Sequence, residues 1–382
     1  MKILFLTGSL VHGGAERQTI ILCNRLAERG HEAHFAYVRN DTAQLGRLRG
    51  AASVQWLQAT RYLDAAAVGN LRRLLRRVRP DVLVAVNQYA LMYAQLARRG
   101  LGLPLAVTFH TTALRSWKER LQMLWYRPLF WGAERAIFVC EAQRAYWARR
   151  RLGGRRDEVI HNGVDLEHWR PGTPQEKSRL RRVLGFAEAD FVVGMSAVLR
   201  PEKNHVQLVH AVAELRRRGV PARALMIGDG ETRGAVEARA RRLGVEEQVT
   251  ITGVQQDVRP LVGACDAVAL CSTAIETFSL AALEAMALAR PVVHSEVGGA
   301  AEMIAPGREG YLFPAGDTAA LVERLAALTD RSRCRRMGEQ ARATVAERFS
   351  ERAMVERYEK TLSELATTRS KHENVRKPAG AH

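Results

Sequence analysis

The chain has 382 residues, enough for two ordinary domains, with 58 Lys and Arg against 40 Asp and Glu for a formal charge of +18. Five scattered cysteines (Cys23, Cys140, Cys265, Cys271 and Cys334) lack paired spacing, which excludes a disulfide framework and a cysteine zinc site and fits a reducing compartment. No apolar run approaches the ~20 residues of a membrane span. The opening MKILFLTGSL is too short an apolar run for a signal peptide, so the expected location is cytoplasmic, soluble or peripheral on the inner face of the cytoplasmic membrane.

Short apolar runs alternate with helical stretches from end to end. ILFL (3–6) leads through a glycine loop to a helix from about Ala15 to Arg29. HFAYV (34–38), VQWL (54–57), VLVAV (82–86), LAVTF (105–109) and AIFV (136–139) follow. After Arg170-Pro171 the series restarts with VVGM (192–195), ALMI (224–227), VTIT (249–252), AVAL (267–270) and PVVH (291–294). Apolar runs of this length bounded by Gly, Pro or Asp read as buried parallel strands, and their alternation with helices reads as a doubly wound α/β fold. Two such series joined by HNGVDLEHWRPG predict two Rossmann-like domains facing across a cleft, residues 1–168 and 169–350. A helix over 351–366 and a polar, disordered tail over 367–382 complete the expected organisation.

Charge is unevenly spread. Residues 1–170 carry 27 Lys and Arg against 13 Asp and Glu, a surplus of +14, and the remainder carries 31 against 27. A basic first half calls for an anionic partner: acidic lipid, a phosphorylated lipid carrier, an acidic glycan or nucleic acid. The segment LRSWKERLQMLWYRPLFWGAER interleaves Trp117, Trp125, Tyr126, Phe130 and Trp131 with Arg115, Lys118, Arg120 and Arg127. That pattern fits an interfacial membrane helix, or equally a helix whose aromatics are core and whose cations are solvated.

In open α/β sheets ligands bind beyond the carboxyl ends of strands, and chemistry-bearing residues fall there repeatedly. Gly13 and Gly14 follow the first strand and precede a helix, a place for close backbone approach, positive φ and free amides. Their spacing is not G-x-G-x-x-G, which weighs against a nicotinamide oxidoreductase. His110 follows LAVTF, positioned to donate to a hydroxyl. Arg200 and Lys203 stand three apart before a helix, a diphosphate clamp of one bidentate cation and one point charge. Gly228-Asp229-Gly230 is a tight turn, and Gly253-Val254 can present backbone to a nucleobase. In ETFSLAALE, Glu276 lies in a loop and Glu284 a little over two turns into the next helix. The amides of Phe278, Ser279 and Leu280 open that helix, and Gly298, Gly299 and Glu302 lie downstream.

Taken together, GGAER, the His110 loop, HNGVD, LRPEKNH, GDG, ETFSLAALEAMA and PVVHSEVGGAAE resemble, in order over about residues 3–316, glycosyltransferase family 4, retaining enzymes of the GT-B architecture. The resemblance implies an acceptor-side first domain, a second domain that binds the nucleotide-sugar donor, and a last helix returning to the first. It implies that Arg200 and Lys203 hold the diphosphate with amides of Gly14, Ser279 and Leu280, that Glu284 binds the ribose, and that Glu276 contacts the donor sugar. His110 is implied beside the anomeric centre and Asp165 at the interdomain crossing. Ser279 departs from a frequent glycine, Cys140 from a common serine, and the GDG turn lacks its usual proline.

No Asp-x-Asp element is present to hold a divalent ion, so no metal and no cofactor are expected, and the leaving diphosphate must be neutralised by cations and amides. The expected activity is metal-independent, retaining hexosyl transfer to a glycan or lipid-linked acceptor in cell-surface polysaccharide or lipopolysaccharide synthesis. The alternatives are a nucleotide-sugar epimerase on a similar frame and a basic nucleic-acid-binding protein. For the latter no zinc spacing, helix-turn-helix or RNA-recognition signature appears, and nucleic acid is not an expected partner.

Overall fold

The computed structural model describes residues 1–11, 13–111, 117–274 and 276–376, without the side chains of Arg120 and residues 368–376. In chain order the elements are β1 (Lys2–Thr7), α1 (Gly14–Glu28), β2 (Glu32–Tyr37), β3 (Ser53–Trp56), α2 (Ala65–Val78), β4 (Val82–Val86), α3 (Asn87–Ala97), β5 (Leu105–Phe109), α4 (Trp117–Trp131), β6 (Arg135–Phe138), α5 (Glu141–Ala148) and β7 (Asp157–Val159). There follow α6 (Pro174–Val183), β8 (Phe191–Ser196), α7 (His205–Arg217), β9 (Ala222–Ile227), α8 (Arg233–Arg242), β10 (Val249–Ile251), α9 (Arg259–Ala264), β11 (Ala267–Leu270), α10 (Leu280–Ala287), β12 (Val292–Ser295), α11 (Ala300–Met303), β13 (Gly310–Phe313), α12 (Thr318–Ala326), α13 (Arg331–Arg348) and α14 (Glu351–Arg376).

The chain divides into two units, 1–162 with 352–382, and 163–351. Unit 1 is built on a seven-stranded sheet in the order β3-β2-β1-β4-β5-β6-β7, and unit 2 on a six-stranded sheet in the order β10-β9-β8-β11-β12-β13. Every pairing between these strands is parallel. Parallel strands are covered by helices on both faces, which is why β4 (VLVAV) and β5 (LAVTF) are buried at every position. The two sheets are the α/β, doubly wound pair that the strand pattern predicted.

Helix starts are set by local chemistry. Asp64 caps α2 by accepting from the amides of Ala66 and Ala67, and Thr173 and Glu176 form a reciprocal capping box around Pro174 at the start of α6. In unit 1, Met354, Val355, Tyr358, Leu362 and Leu365 of α14 bury into the cluster that holds Ile3, Phe5 and Ile20. Each such side chain contributes roughly 1.5–3 kcal/mol relative to exposure. The helix runs to Arg376, ten residues past its expected end at 366, because neither Gly nor Pro interrupts the chain before Pro378. Residues 377–382 of that expected tail lie outside the described residues. All five cysteines are free and buried.

Candidate active site

Strand order brings the unit 2 residues together. Arg200 and Lys203 follow β8 and Glu276 follows β11, and β8 and β11 are neighbours at the point where the winding of the sheet reverses. Loops at such a point part to opposite faces and leave a crevice between them. The two loops are tied by Thr273 N–H donating to Glu202 O at 2.9 Å. Across this tie Lys203 Nζ donates to Glu276 Oε2 at 2.6 Å, a pair 73 residues apart in sequence. Ser272 Oγ donates to the same carboxylate oxygen at 3.1 Å, and Ser295 Oγ donates to Ser272 O at 2.7 Å. Sequence reading treated Lys203 and Glu276 as independent groups; they form one ion pair, with side chains 25% and 13% exposed. Ser272 was missed, although its place at the end of an apolar strand was the available signal.

Arg200 occupies the residue before a single 3₁₀ turn (Pro201–Lys203), and Asn204 beyond it adopts φ +53°, which turns the chain into α7. His205, the first residue of α7, is buried. Desolvation, reinforced by the Lys203 charge, pushes its imidazole down to about 4. The GDG turn presses on the Arg200 loop: Leu199 N–H donates to Asp229 O, and Thr232 N–H to Leu199 O. A Cβ on Gly228 (φ +145°) would collide with Ala197 O, and one on Gly230 with Leu199 O. Gly228 also bridges Gly253, whose neighbour Val254 is exposed.

α10 begins later than the sequence suggested. Ser279 is its N-cap, accepting from Ala282 N–H at 3.3 Å, and Leu280 is its first residue. Glu284 is therefore the fifth helical residue, a little over one turn in rather than two, and it is buried. Phe278 does not open the helix. Its ring is buried edge-on against Phe349, 5.3 Å between centroids, and anchors the loop. Gly298 has φ +57° and lies where a Cβ would fall on Glu276 O, while Gly299 N–H donates to Thr277 O at 2.7 Å. This contact explains the double glycine: its backbone supports the Glu276 loop.

Gly13, Gly14 and His110 belong to unit 1. Gly13 is the N-cap of α1 with φ −149°, extended backbone rather than the positive φ expected of it, and Gly14 starts the helix. The Glu16 carboxylate folds back to Gly13, where it would meet a Cβ, and burial raises its pKa. His110 follows β5, and its N–H donates to Asn87 Oδ1 at 2.9 Å. Asn87, with φ +63° after β4, was not singled out; an Asn at a strand end that tolerates left-handed backbone was the signal. Burial pushes the His110 imidazole down to about 4, so it is neutral at physiological pH. Asp165, in unit 2, accepts from the amides of Glu167 and His168 and shapes the turn after the crossing from unit 1.

Two parallel, doubly wound units, one carrying cations, a paired carboxylate and a helix start at its switch point, define an α/β protein of two Rossmann-like domains. The comparisons narrow it. The "Glycosyltransferase Family 4" profile matches residues 12–168 and the "Glycosyl transferases group 1" profile matches 176–344. The chain belongs to glycosyltransferase family 4. It is 34% identical over 207 residues to EpsD of Bacillus subtilis strain 168, covering 54% of each chain. It is 30% identical over 203 residues to N-acetyl-α-D-glucosaminyl L-malate synthase of Bacillus anthracis, covering 53% of this chain and 52% of that one. These alignments span about half the length of the two relatives. Among solved structures, Anabaena HepE in complex with UDP superposes with a TM-score of 0.85 at 26% identity, over 95% of this chain and all of that one. Its complex with UDP-glucose gives 0.83. The structural neighbours are GT-B glycosyltransferases.

Proposed function

We propose that the protein transfers a hexosyl unit from a nucleoside diphosphate sugar to a glycan or lipid-linked acceptor, with retention, in cell-surface polysaccharide or lipopolysaccharide synthesis. The observation that carries this reading is the Lys203–Glu276 pair at the β8/β11 switch point, flanked by Arg200 and the start of α10. Arg200 and Lys203 take the diphosphate, with amides at Ser279 and Leu280, and Glu284 takes the ribose. Glu276 holds sugar hydroxyls. The solved complexes of HepE with UDP and UDP-glucose support a uridine nucleotide donor.

The bond from the anomeric carbon to the diphosphate oxygen breaks as the acceptor oxygen bonds to the same face, and the departing phosphate oxygen takes the acceptor's proton. The main cost is charge separation, which preorganised cations and amides lower without solvent reorganisation. In this reading Arg200 and Lys203, rather than a divalent ion, neutralise the leaving group. His110, neutral, donates an N–H near the sugar.

A thermal-shift screen of UDP, GDP and ADP sugars tests the proposal. Donor at 100 times its Kd adds about 2.7 kcal/mol. No stabilisation by any of the three, or an undiminished response in Lys203→Met, would sink it.

The acceptor side points to a membrane surface. α4 was open to two readings, and its side chains divide. Met123, Tyr126 and Phe130 are core, while Trp117, Trp125 and Trp131 are 69%, 80% and 53% exposed, with Leu121 and Leu124 also exposed. These positions recur at helical spacing, Lys118 lies on the same helix, and Arg127 and Arg150 border a cavity of about 570 Å³ beside it. Arg115 lies outside the described residues, as does the Arg120 side chain. An outward apolar ridge with cations beside it fits the headgroup boundary of anionic lipid. Among the described residues no helix is long and apolar enough to cross a membrane.

A further inference from the structure

We infer that unit 2 carries a second anion site, for a phosphoryl group, beneath the amino-terminal ends of β8 and β11, the opposite ends from the donor loops. Asp266, just before β11, is its centre. Its carboxylate accepts from Lys177 Nζ at 2.9 Å and Arg181 Nη2 at 2.5 Å, both from α6, and from Val192 N–H of β8 at 2.9 Å. Arg290, between α10 and β12, donates from Nη1 to Cys265 O at 3.1 Å, and its buried Nε has no partner among the described residues. Lys177 and Arg181 thus converge on one carboxylate, and Arg290 is held beside it at the carbonyl of the preceding residue. Asp190, another buried acid of the same lining, is already paired through Oδ2 with Arg223 Nε at 2.6 Å. The cluster of Lys177, Arg181 and Arg290 around the single Asp266 carboxylate therefore carries a local surplus of two positive charges.

Uncompensated charge away from water is costly, and an incoming oxyanion offsets that cost. Space for one exists, since the cluster lines a cavity of about 540 Å³. Its rim carries Arg331 and Arg335 against Glu188 and Glu339 and adds no net charge to that surplus. Burial lowers the pKa of both Lys177 and Arg290, against the raising effect of the Asp266 carboxylate. A doubly charged phosphoryl group matches the surplus, and the volume leaves room for a small molecule bearing it.

The test uses full-length protein in an Arg200→Gln/Lys203→Met background, which removes the donor clamp. Calorimetric titration with inorganic phosphate and with a hexose phosphate, against chloride at matched ionic strength, is expected to show one saturable site. Tighter binding of the hexose phosphate would identify a phosphorylated metabolite as the occupant; equal binding would identify free phosphate. Adding Arg290→Gln should weaken binding at least tenfold and leave the melting temperature without phosphate unchanged or higher. Arg335→Gln on the exposed rim should weaken binding a few-fold without affecting the fold. Absence of a saturable site in the background protein would overturn the inference. So would unchanged phosphate affinity in Arg290→Gln, or a lower phosphate-free melting temperature, which marks Arg290 as a structural strut.

Discussion

Lys203→Met separates two jobs of one side chain, the one observed and the one proposed. Lys203 holds Glu276 at 2.6 Å, and on the proposed reading its charge also meets the donor diphosphate. A hydrogen bond to a charged group is worth about 1.5–3 kcal/mol, and Glu276 keeps the Ser272 hydroxyl as a donor when Lys203 is lost. The variant should therefore lose about 1.5–3 kcal/mol of stability. The same range applied to the diphosphate corresponds to a roughly 10- to 150-fold weaker nucleoside diphosphate. A loss of stabilisation specific to the transition state, about 3–4 kcal/mol for one preorganised donor, lowers turnover by roughly 100-fold or more. Glu276→Gln supplies the control, because it removes the carboxylate charge while preserving volume. If Lys203 contacts the diphosphate directly, Lys203→Met still weakens UDP at least tenfold in the Glu276→Gln background. Additive or nearly additive losses by calorimetry would support that contact. A Lys203→Met effect that vanishes in the Glu276→Gln protein would refute it and leave Lys203 as a support for Glu276.

Gly298→Ala should both destabilise unit 2 and abolish donor binding. Left-handed backbone alone costs a side chain about 1–3 kcal/mol, and the added methyl also displaces the Glu276 carbonyl; a stable variant with wild-type UDP affinity would contradict the support role. Acid sensitivity follows from His205, whose folded pKa of about 4 lies below its ordinary 6.5. The unfolded chain then binds the proton more readily, so stability is present above pH 6.5 and is lost as pH falls toward 4. Urea titrations at pH 7.5 and 4.5 should show His205→Gln losing about 2–3 kcal/mol less than wild type. His110 contributes with the same sign in unit 1. Trp117→Ala/Trp125→Ala should reduce co-sedimentation with anionic liposomes several-fold while leaving the melting temperature unchanged, since both rings are exposed. Equal binding of anionic and neutral vesicles by wild type would argue against the electrostatic part.

Sequence reading located the central strands because parallel strands buried on both faces are unbroken apolar runs; VLVAV and LAVTF coincide with β4 and β5 end to end. It missed β7 and β13, the last strands at one edge of each sheet. β7 is three residues with Asp157 and Glu158 in it, and β13 is four residues entered through Gly310. Site residues were legible individually, since each follows a strand. Their pairing was not, because the meeting of Lys203 with Glu276 depends on β8 and β11 being adjacent, a property of winding order and not of local pattern. The start of α10 was misplaced for a local reason: Phe278 looks like helix but is drawn into the core by Phe349, which leaves Ser279 to cap.

The crossing into unit 2 has a consequence for engineering. Val164 and Ser350 form a parallel bridge, with Val164 N–H donating to Phe349 O and Glu351 N–H to Val164 O. Gly163 lies so close to Ser350 and Glu351 that a methyl group would not fit. Entrance and exit of the segment 163–351 thus stand shoulder to shoulder, the topology of an inserted module. Such a module can be excised as one continuous gene fragment, or transplanted between hosts by two adjacent junctions. Unit 1 has no such freedom, because a truncation before residue 352 strips away the α14 side chains that complete its core.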